Sequence, residues 1–430
     1  MVPGHGEEVT AEGGVKARTI AKAPRARSIE LPLTSGHIPA LDGLRGIAIL
    51  LVLVYHFFRA TGTQSGPWLD EAATKIAGLG WSGVDLFFVL SGFLITGILV
   101  DAKAGSNFFR NFYVRRFLRI FPIYYGFLFI LIVLLPQLPS LQGNRDLDLL
   151  SKHQFWYWSY LYNVFVAFKP LTDLGLFGNG HLWSLAVEEQ FYLCWPAVVF
   201  LLGRRNLMLA CLACVLAAPV FRFALVQGAV DPLTNPLAPG VLAPARMDAL
   251  ALGGFLALAA RRPEELRRLL RWAWPVAWAS AFVLLGLFFW RGSLSFYDDW
   301  VQTVGYTANA FLFGAILTLA VTAAPNTALH NVCTHRLLSF FGRYSYALYL
   351  FHFQIAVLLA RRVSDAGGLP TVAGLEVPAK IVFTLFGISS SVILAWLSWH
   401  LYEKQFLKLK VLFPYGGRPG GGSNLQRGKS

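Results

Sequence analysis

Charge is what this 430-residue chain lacks most: 14% of its residues are Asp, Glu, Lys or Arg, against 56% that are hydrophobic. An ordinary soluble domain carries roughly 25% charged residues. A globule this size with so few charges cannot cover its surface, which excludes a soluble enzyme. Cysteine is scarce too. Of Cys194, Cys211, Cys214 and Cys333, all but the last lie inside apolar runs, and Cys211 and Cys214 have no second Cys/His pair nearby. That excludes a disulfide framework and makes no zinc site. Short segments of alternating polarity are missing, which excludes a β-barrel. Residues 1–36 have no apolar core of a signal peptide. No soluble basic module accompanies the net charge of +14, so nucleic acid is not an expected partner. No internal repeat of the transporter kind stands out.

What is present is a series of apolar runs long enough to cross a bilayer. They lie near 44–60, 80–100, 117–136, 182–202, 206–227, 246–260, 272–290, 303–323, 338–360 and 378–401. The segment FWYWSYLYNVFVAF at 155–168 is shorter and very aromatic. If it spanned, every later loop would invert and the basic RRPEELRRLLR at 261–271 would face outward, against the positive-inside rule. The expectation is therefore an all-α polytopic membrane protein of about ten transmembrane helices, with both termini cytoplasmic. Segment 155–168 is expected to be interfacial or re-entrant on the outer side. Its Trp156, Tyr157, Trp158, Tyr160 and Tyr162 suit an interfacial belt better than stacking on sugar rings. Residues 1–37 and 406–430 are expected to be flexible cytoplasmic tails around a membrane body at 38–405. No soluble catalytic domain is expected beside that body, so the chemistry is expected within it.

The ionisable residues inside these runs are costly, and such groups usually face a bundle interior or a wet cavity. The first run opens on Arg45 and closes on His56, 11 residues on, or about 16 Å of helix rise. Arg45 thus sits near the cytoplasmic interface and His56 in the outer half. Snorkelling is the plain alternative for Arg45, and a bond to a neighbouring helix the alternative for His56. Asp85 enters the second run at a similar depth to His56. It either orients that imidazole or caps its own helix. Arg115, Arg116 and Arg119 cluster at the inner face before the third run, and guanidinium forks suit phosphates. Topology-setting charge explains them equally, Arg119 least of all. Glu188 and Glu189 lie in the fourth run. Neighbouring positions point about 100° apart, so only one of them faces a given cavity. Ser91, Gly92 and Gly97 read as close helix packing. His352, Tyr346 and Tyr349 read as packing rather than chemistry.

Five stretches occur in order: IPALDGLRGIAILLVLVYHF, GVDLFFVLSGFLI, RRFLRIFPIYY, HLWSLAVEEQFYLCWP and RMDALALGGFLAL. Together they resemble the acyltransferase-3 family of membrane acyltransferases, the group of bacterial O-antigen and exopolysaccharide O-acetylases, over roughly 38–405. The resemblance implies transfer of an acyl group, most often acetyl from acetyl-CoA, to a hydroxyl of an extracytoplasmic or lipid-linked carbohydrate. Some relatives act on small molecules such as macrolides. It implies a place in the bacterial cytoplasmic membrane and no metal. Arg45 with His56 matches the family's arginine–histidine pair, and Arg116 with Arg119 its R-x-x-R motif. Glu188 and Glu189 both fit its glutamate motif. Some relatives carry a fused extracytoplasmic hydrolase-like domain, which this chain is expected to lack.

These matches suggest a scheme. Arg45, Arg115, Arg116 and Arg119 hold the donor's phosphates at the inner mouth of a single passage. His56 acts from the acceptor side, as general base or as an acylated intermediate, with Asp85, Glu188 or Glu189 orienting its ring. The alternative of another class is a proton- or anion-coupled transporter.

Overall fold

A computed structural model of the protein describes residues 37–62, 67–168, 180–228 and 236–415. The expectations for the tail before residue 37 and for 416–430 fall outside those residues. Among the described residues the chain is helical, and one isolated bridge between Val372 and Leu375 is its only strand-like pairing.

Ten long helices match the ten expected runs. They are α1 (Pro39–Ala60), α2 (Gly83–Ala102), α3 (Phe108–Phe129), α4 (Leu182–Leu201), α5 (Arg204–Val226), α6 (Ala243–Ala259), α7 (Pro263–Arg291), α8 (Tyr306–Thr322), α9 (Arg336–Asp365) and α10 (Val377–Ser398). Together with their helical extensions, eight of them are long and apolar enough to cross a membrane. The other two are α4 and α9, of 20 and 30 residues. Twenty residues rise about 30 Å, enough for a bilayer core. These two are less apolar because they carry the polar groups that turn inward: Glu188 and Glu189 in α4, Tyr349 and His352 in α9. The chain is a multi-pass membrane protein.

Local chemistry sets the helix ends. Pro39 occupies the first turn of α1, Asp42 lies in that turn and Arg59 in the last; each complements the helix dipole. Lipid-facing surface is concentrated on α5, α7 and α10. Along α7, Trp272, Trp278, Phe282 and Phe289 are exposed, as expected of a helix with hydrocarbon outside it.

Two close helix crossings fix the interior. At the first, α1 meets α9 and the residues before it. A Cβ on Gly43 would lie 1.8 Å from the Cys333 carbonyl oxygen, one on Gly46 2.0 Å from that of Leu338, and one on Gly342 1.9 Å from that of Asp42. At the second, α2 meets α6, where a Cβ on Gly92 would lie 1.8 Å from the Leu250 oxygen. Only glycine admits backbones this near. Gly92 thus packs as expected.

Segment 155–168 does not span. It forms two short helices, Gln154–Trp158 and Tyr162–Phe168, broken at Tyr160, whose φ is 55°. Phe155 and Phe168 are exposed, while the tyrosines of the segment turn inward. Tyr160 stacks on Tyr124 at 4.2 Å and Tyr157 on Tyr162 at 4.4 Å, and all four are buried. After α10 the chain stays helical through Lys404–Lys408 and Leu409–Leu412. This stretch lies against α3: Asn111 donates to the Pro414 carbonyl at 2.8 Å. The described part of the expected C-terminal tail is therefore docked.

Candidate functional site

Two cavities adjoin inside the bundle. The first, of about 90 Å³, is lined by Arg45, Arg116, Arg119 and Glu188, with Ser91 and Tyr192 beside them. Three of the four arginines singled out in the sequence thus converge from α1 and α3 on one space. Arg45 comes from the helix that also carries His56, and Arg116 and Arg119, three residues apart, share a face of α3. Arg116 also lies over the Tyr192 ring, at 5.5 Å.

Arg115 is placed elsewhere. Its Nη1 donates to the carbonyls of Lys410 at 2.8 Å and Phe413 at 3.0 Å, and its guanidinium stacks over Tyr415. It holds the docked C-terminal stretch.

Of the two glutamates, Glu188 faces the arginines. The Ser91 and Tyr192 hydroxyls bond each other, and both line the cavity beside Glu188. Glu189 does not line this cavity. Tyr124, Tyr125, Tyr160, Tyr346 and Arg116 lie within electrostatic range of it.

The second cavity is far larger, about 760 Å³, and His56 is in its wall with His181, Trp183, Tyr162 and Phe353. Tyr162 is the part of the aromatic segment that reaches it. The two cavities share Val84 and Tyr349 as lining residues. They therefore meet at a common wall formed by these two side chains. The Tyr349 hydroxyl donates to the His181 carbonyl at 3.1 Å and bonds the Ser184 hydroxyl at 2.5 Å, which fixes the ring in that wall.

His56 has a partner that the sequence did not suggest. Its Nδ1 lies 3.0 Å from the Val52 carbonyl and 3.1 Å from Nε2 of His352. Nδ1 of His352 lies 2.8 Å from the Tyr349 carbonyl and 3.1 Å from that of Leu348. A carbonyl only accepts, so Nδ1 of His352 carries its proton and Nε2 of that neutral ring is an acceptor. Nδ1–H of His56 donates toward it and toward Val52. The proton-free nitrogen of His56 is then Nε2, which has no hydrogen-bond partner among the described residues and belongs to a ring in the cavity wall. The glycine crossing of α1 on α9 is what brings the two rings together. His181, on the far side, lies 5.1 Å from the His352 ring and bonds the Leu350 carbonyl at 3.2 Å.

Asp85 is bound by other groups. Its carboxylate pairs with Arg246 and accepts from Asn309 Nδ2 at 3.2 Å. A second buried pair joins Arg222 Nη2 to Asp248 at 2.8 Å, and Thr307 donates to the same carboxylate at 2.9 Å. This polar layer ties α2, α5, α6 and α8 together behind the histidine cavity. Arg222 was not singled out in the sequence, where one arginine in a long apolar run carries no further signal. Among the described residues no group of three or more His, Cys, Asp or Glu side chains is arranged to hold a metal ion.

Comparison with known proteins bears out the family resemblance read from the motifs. The family described as "Acyltransferase domain" matches residues 38–400. The Bacillus subtilis protein YrhL is 31% identical over 395 residues, which are 86% of this chain and 54% of the relative. The peptidoglycan O-acetyltransferase OatA of Listeria monocytogenes is 28% identical over 337 residues, 75% of this chain and 50% of the relative. The O-acetyltransferase OatA of Staphylococcus aureus is 28% identical over 359 residues, 77% and 53%. The chain spans about half the length of these curated relatives. No solved structure matches it significantly.

Proposed function

This chain belongs to the acyltransferase domain family, and we propose that it is a membrane O-acetyltransferase that carries acetyl from cytoplasmic acetyl-CoA to a hydroxyl of an extracytoplasmic carbohydrate. The names of two relatives, a peptidoglycan O-acetyltransferase and an O-acetyltransferase, support that class of acceptor. The observation that carries the reading is the proton-free Nε2 of His56, at a cavity that backs onto an arginine cluster.

With the basic loops inside, the arginine cavity opens toward the cytoplasm. Its volume of about 90 Å³ suits the narrow acyl end of the donor and not a nucleotide. Phosphates would sit at the guanidiniums of Arg45, Arg116 and Arg119, with the thioester beyond them toward Tyr349. Glu188, beside Ser91 and Tyr192 in the same lining, balances part of the positive charge when no donor is bound.

On the other side, Nε2 of His56 takes the proton of the acceptor hydroxyl as that oxygen attacks the thioester carbonyl. The carbon–sulfur bond then breaks, and the imidazolium returns its proton to the departing sulfur to give the thiol. While His56 is charged, its Nδ1–H donates to two acceptors, Val52 and His352. Such bonds strengthen when the donor is an ion. His352 thus takes the orienting part foreseen for Asp85, whose carboxylate is already committed to Arg246 and Asn309. Glu189 is not needed at either cavity.

The test is reconstitution in liposomes with isotopically labelled acetyl-CoA inside and an oligosaccharide outside, read by mass spectrometry of the sugar. Gain of one acetyl by the sugar with matching release of thiol is expected. Donor consumption without sugar labelling in every acceptor tried, or solute uptake without donor consumption, would overturn the reading.

A further inference from the structure

Beside His56, the larger cavity is lined by Arg59, Arg246 and Arg361, and by no Asp or Glu. An oily pocket for a neutral sugar does not need three guanidiniums in its wall.

Two of them have carboxylates of their own. Arg361 pairs with Asp146, and Arg246 with Asp85. Arg246 is not used up by that pair: its Nε and Nη1 have no hydrogen-bond partner among the described residues, and its guanidinium lies 4.0 Å from the centre of the Tyr306 ring. Arg59 has no carboxylate partner among the described residues. It leans over the Tyr55 ring at 5.6 Å and is exposed at the rim. A last-turn arginine complements its helix dipole, which accounts for a cation at the end of α1. It does not account for a wall of three arginines with no acid.

Position sharpens the argument. Arg59 is three residues beyond His56 on the same helix, so the two share a face, about 4.5 Å apart in rise. An anion held at Arg59 would lie about one sugar ring from a hydroxyl held at His56.

Resting on the acyltransferase reading, we infer that the acceptor is an anionic glycan, with a carboxylate or phosphate close to the hydroxyl that is acetylated, and that Arg59 binds that anion. The outer cavity selects by charge, and Arg246 supplies a second, deeper cation to the same space.

The experiment uses the full chain in liposomes with acetyl-CoA inside and three acceptors outside: cellobiose, cellobiouronic acid, and a polyprenyl-pyrophosphate-linked disaccharide in the bilayer. Transfer to at least one anionic acceptor should exceed transfer to cellobiose in kcat/KM. Whichever of the two is preferred names the source of the anion. Arg59→Gln should shrink that preference about tenfold through KM, the weight of one hydrogen bond to a charged group. Arg59→Lys should restore most of it, and external salt should erode it. Equal or better use of cellobiose overturns the inference, as does an Arg59→Gln protein that keeps the full preference. Transfer to cellobiose alone leaves the transferase reading standing and sinks this one. Labelling of none of the three sinks both.

Discussion

His352 is buried and touches no cavity, yet its removal should slow turnover without weakening either substrate's binding. The reasoning starts from the 3.1 Å contact between its Nε2 and Nδ1 of His56. In the resting state this is one neutral hydrogen bond beside another, to Val52. In the proposed reaction His56 is an imidazolium at the transition state, and a hydrogen bond to a charged group is worth about 1.5–3 kcal/mol against about 1 for a neutral one. The difference, about 0.5–2 kcal/mol, is a factor of about 2 to 30 in kcat, at 1.36 kcal/mol per decade. Val52 still fixes the tautomer, so the loss is smaller than that from deleting the base itself, about 10²–10⁴-fold. His352→Phe keeps a ring and removes the acceptor. His352→Gln puts an amide oxygen within reach of Nδ1 and should recover much of the rate. The assay is single-turnover acetyl transfer in liposomes, with detergent-phase melting to confirm that each variant is folded. A His352→Phe protein with wild-type kcat would refute the argument. So would a folded His352→Gln protein no faster than the Phe variant.

His56→Ala should abolish transfer in a protein that still inserts and melts normally; measurable turnover at the wild-type rate would remove the ring from the chemistry. Arg119→Ala should raise the KM for acetyl-CoA about tenfold, one charge-assisted contact's worth, whereas Arg115→Ala should leave that KM alone and loosen the C-terminal stretch to protease. Gly92→Val forces a Cβ to within 1.8 Å of the Leu250 oxygen, so α2 and α6 must part; a fall in melting temperature is expected, from overpacking of at least about 1–3 kcal/mol. Tyr349→Ala opens the shared wall and should raise hydrolysis of acetyl-CoA to acetate and free thiol without acceptor. Tyr349→Phe keeps the ring and should not, and equal hydrolysis in the two would count against the wall.

Position along each helix was legible in the sequence; direction around each helix was not. The 11-residue gap from Arg45 to His56 fixes their separation along α1, and both do reach cavities at different levels. Arg116 and Arg119 share a face by spacing alone, so their convergence was readable too. Arg115 is one position earlier, and a turn of about 100° sends it to the C-terminal stretch. The same rotation separates Glu188 from Glu189, and spacing alone left open which of them faces the arginines. Asp85 and His56 lie at similar depth, which made them look like partners. Their actual partners are set by the crossings: α2 packs on α6, which delivers Arg246 to Asp85, and α1 packs on α9, which delivers His352 to His56. Those crossings depend on glycines placed opposite particular carbonyls, a relation between distant segments that no local pattern records. His352 was hidden further by its surroundings, since a histidine among Tyr and Phe looks like one more packed ring.

The wall between the two cavities changes what the arginines and the histidine have to do. An open channel from a guanidinium-lined mouth to an outer cavity of this size would leak ions and protons across the membrane at rest. A wall one side chain thick avoids that leak at rest, and because reacting atoms must come within about 3–3.5 Å, the proposed transfer requires the Tyr349 side chain to move aside when both substrates are bound. Tyr349 suits the task because its hydroxyl is held by Ser184 and His181 while its carbonyl holds His352. The residue that separates the compartments is thus also the one that sets the tautomer of the relay. In the proposed reaction, sidedness and proton placement would then depend on one turn of α9, and on the glycines that pin α1 against that helix although none of them lines either cavity.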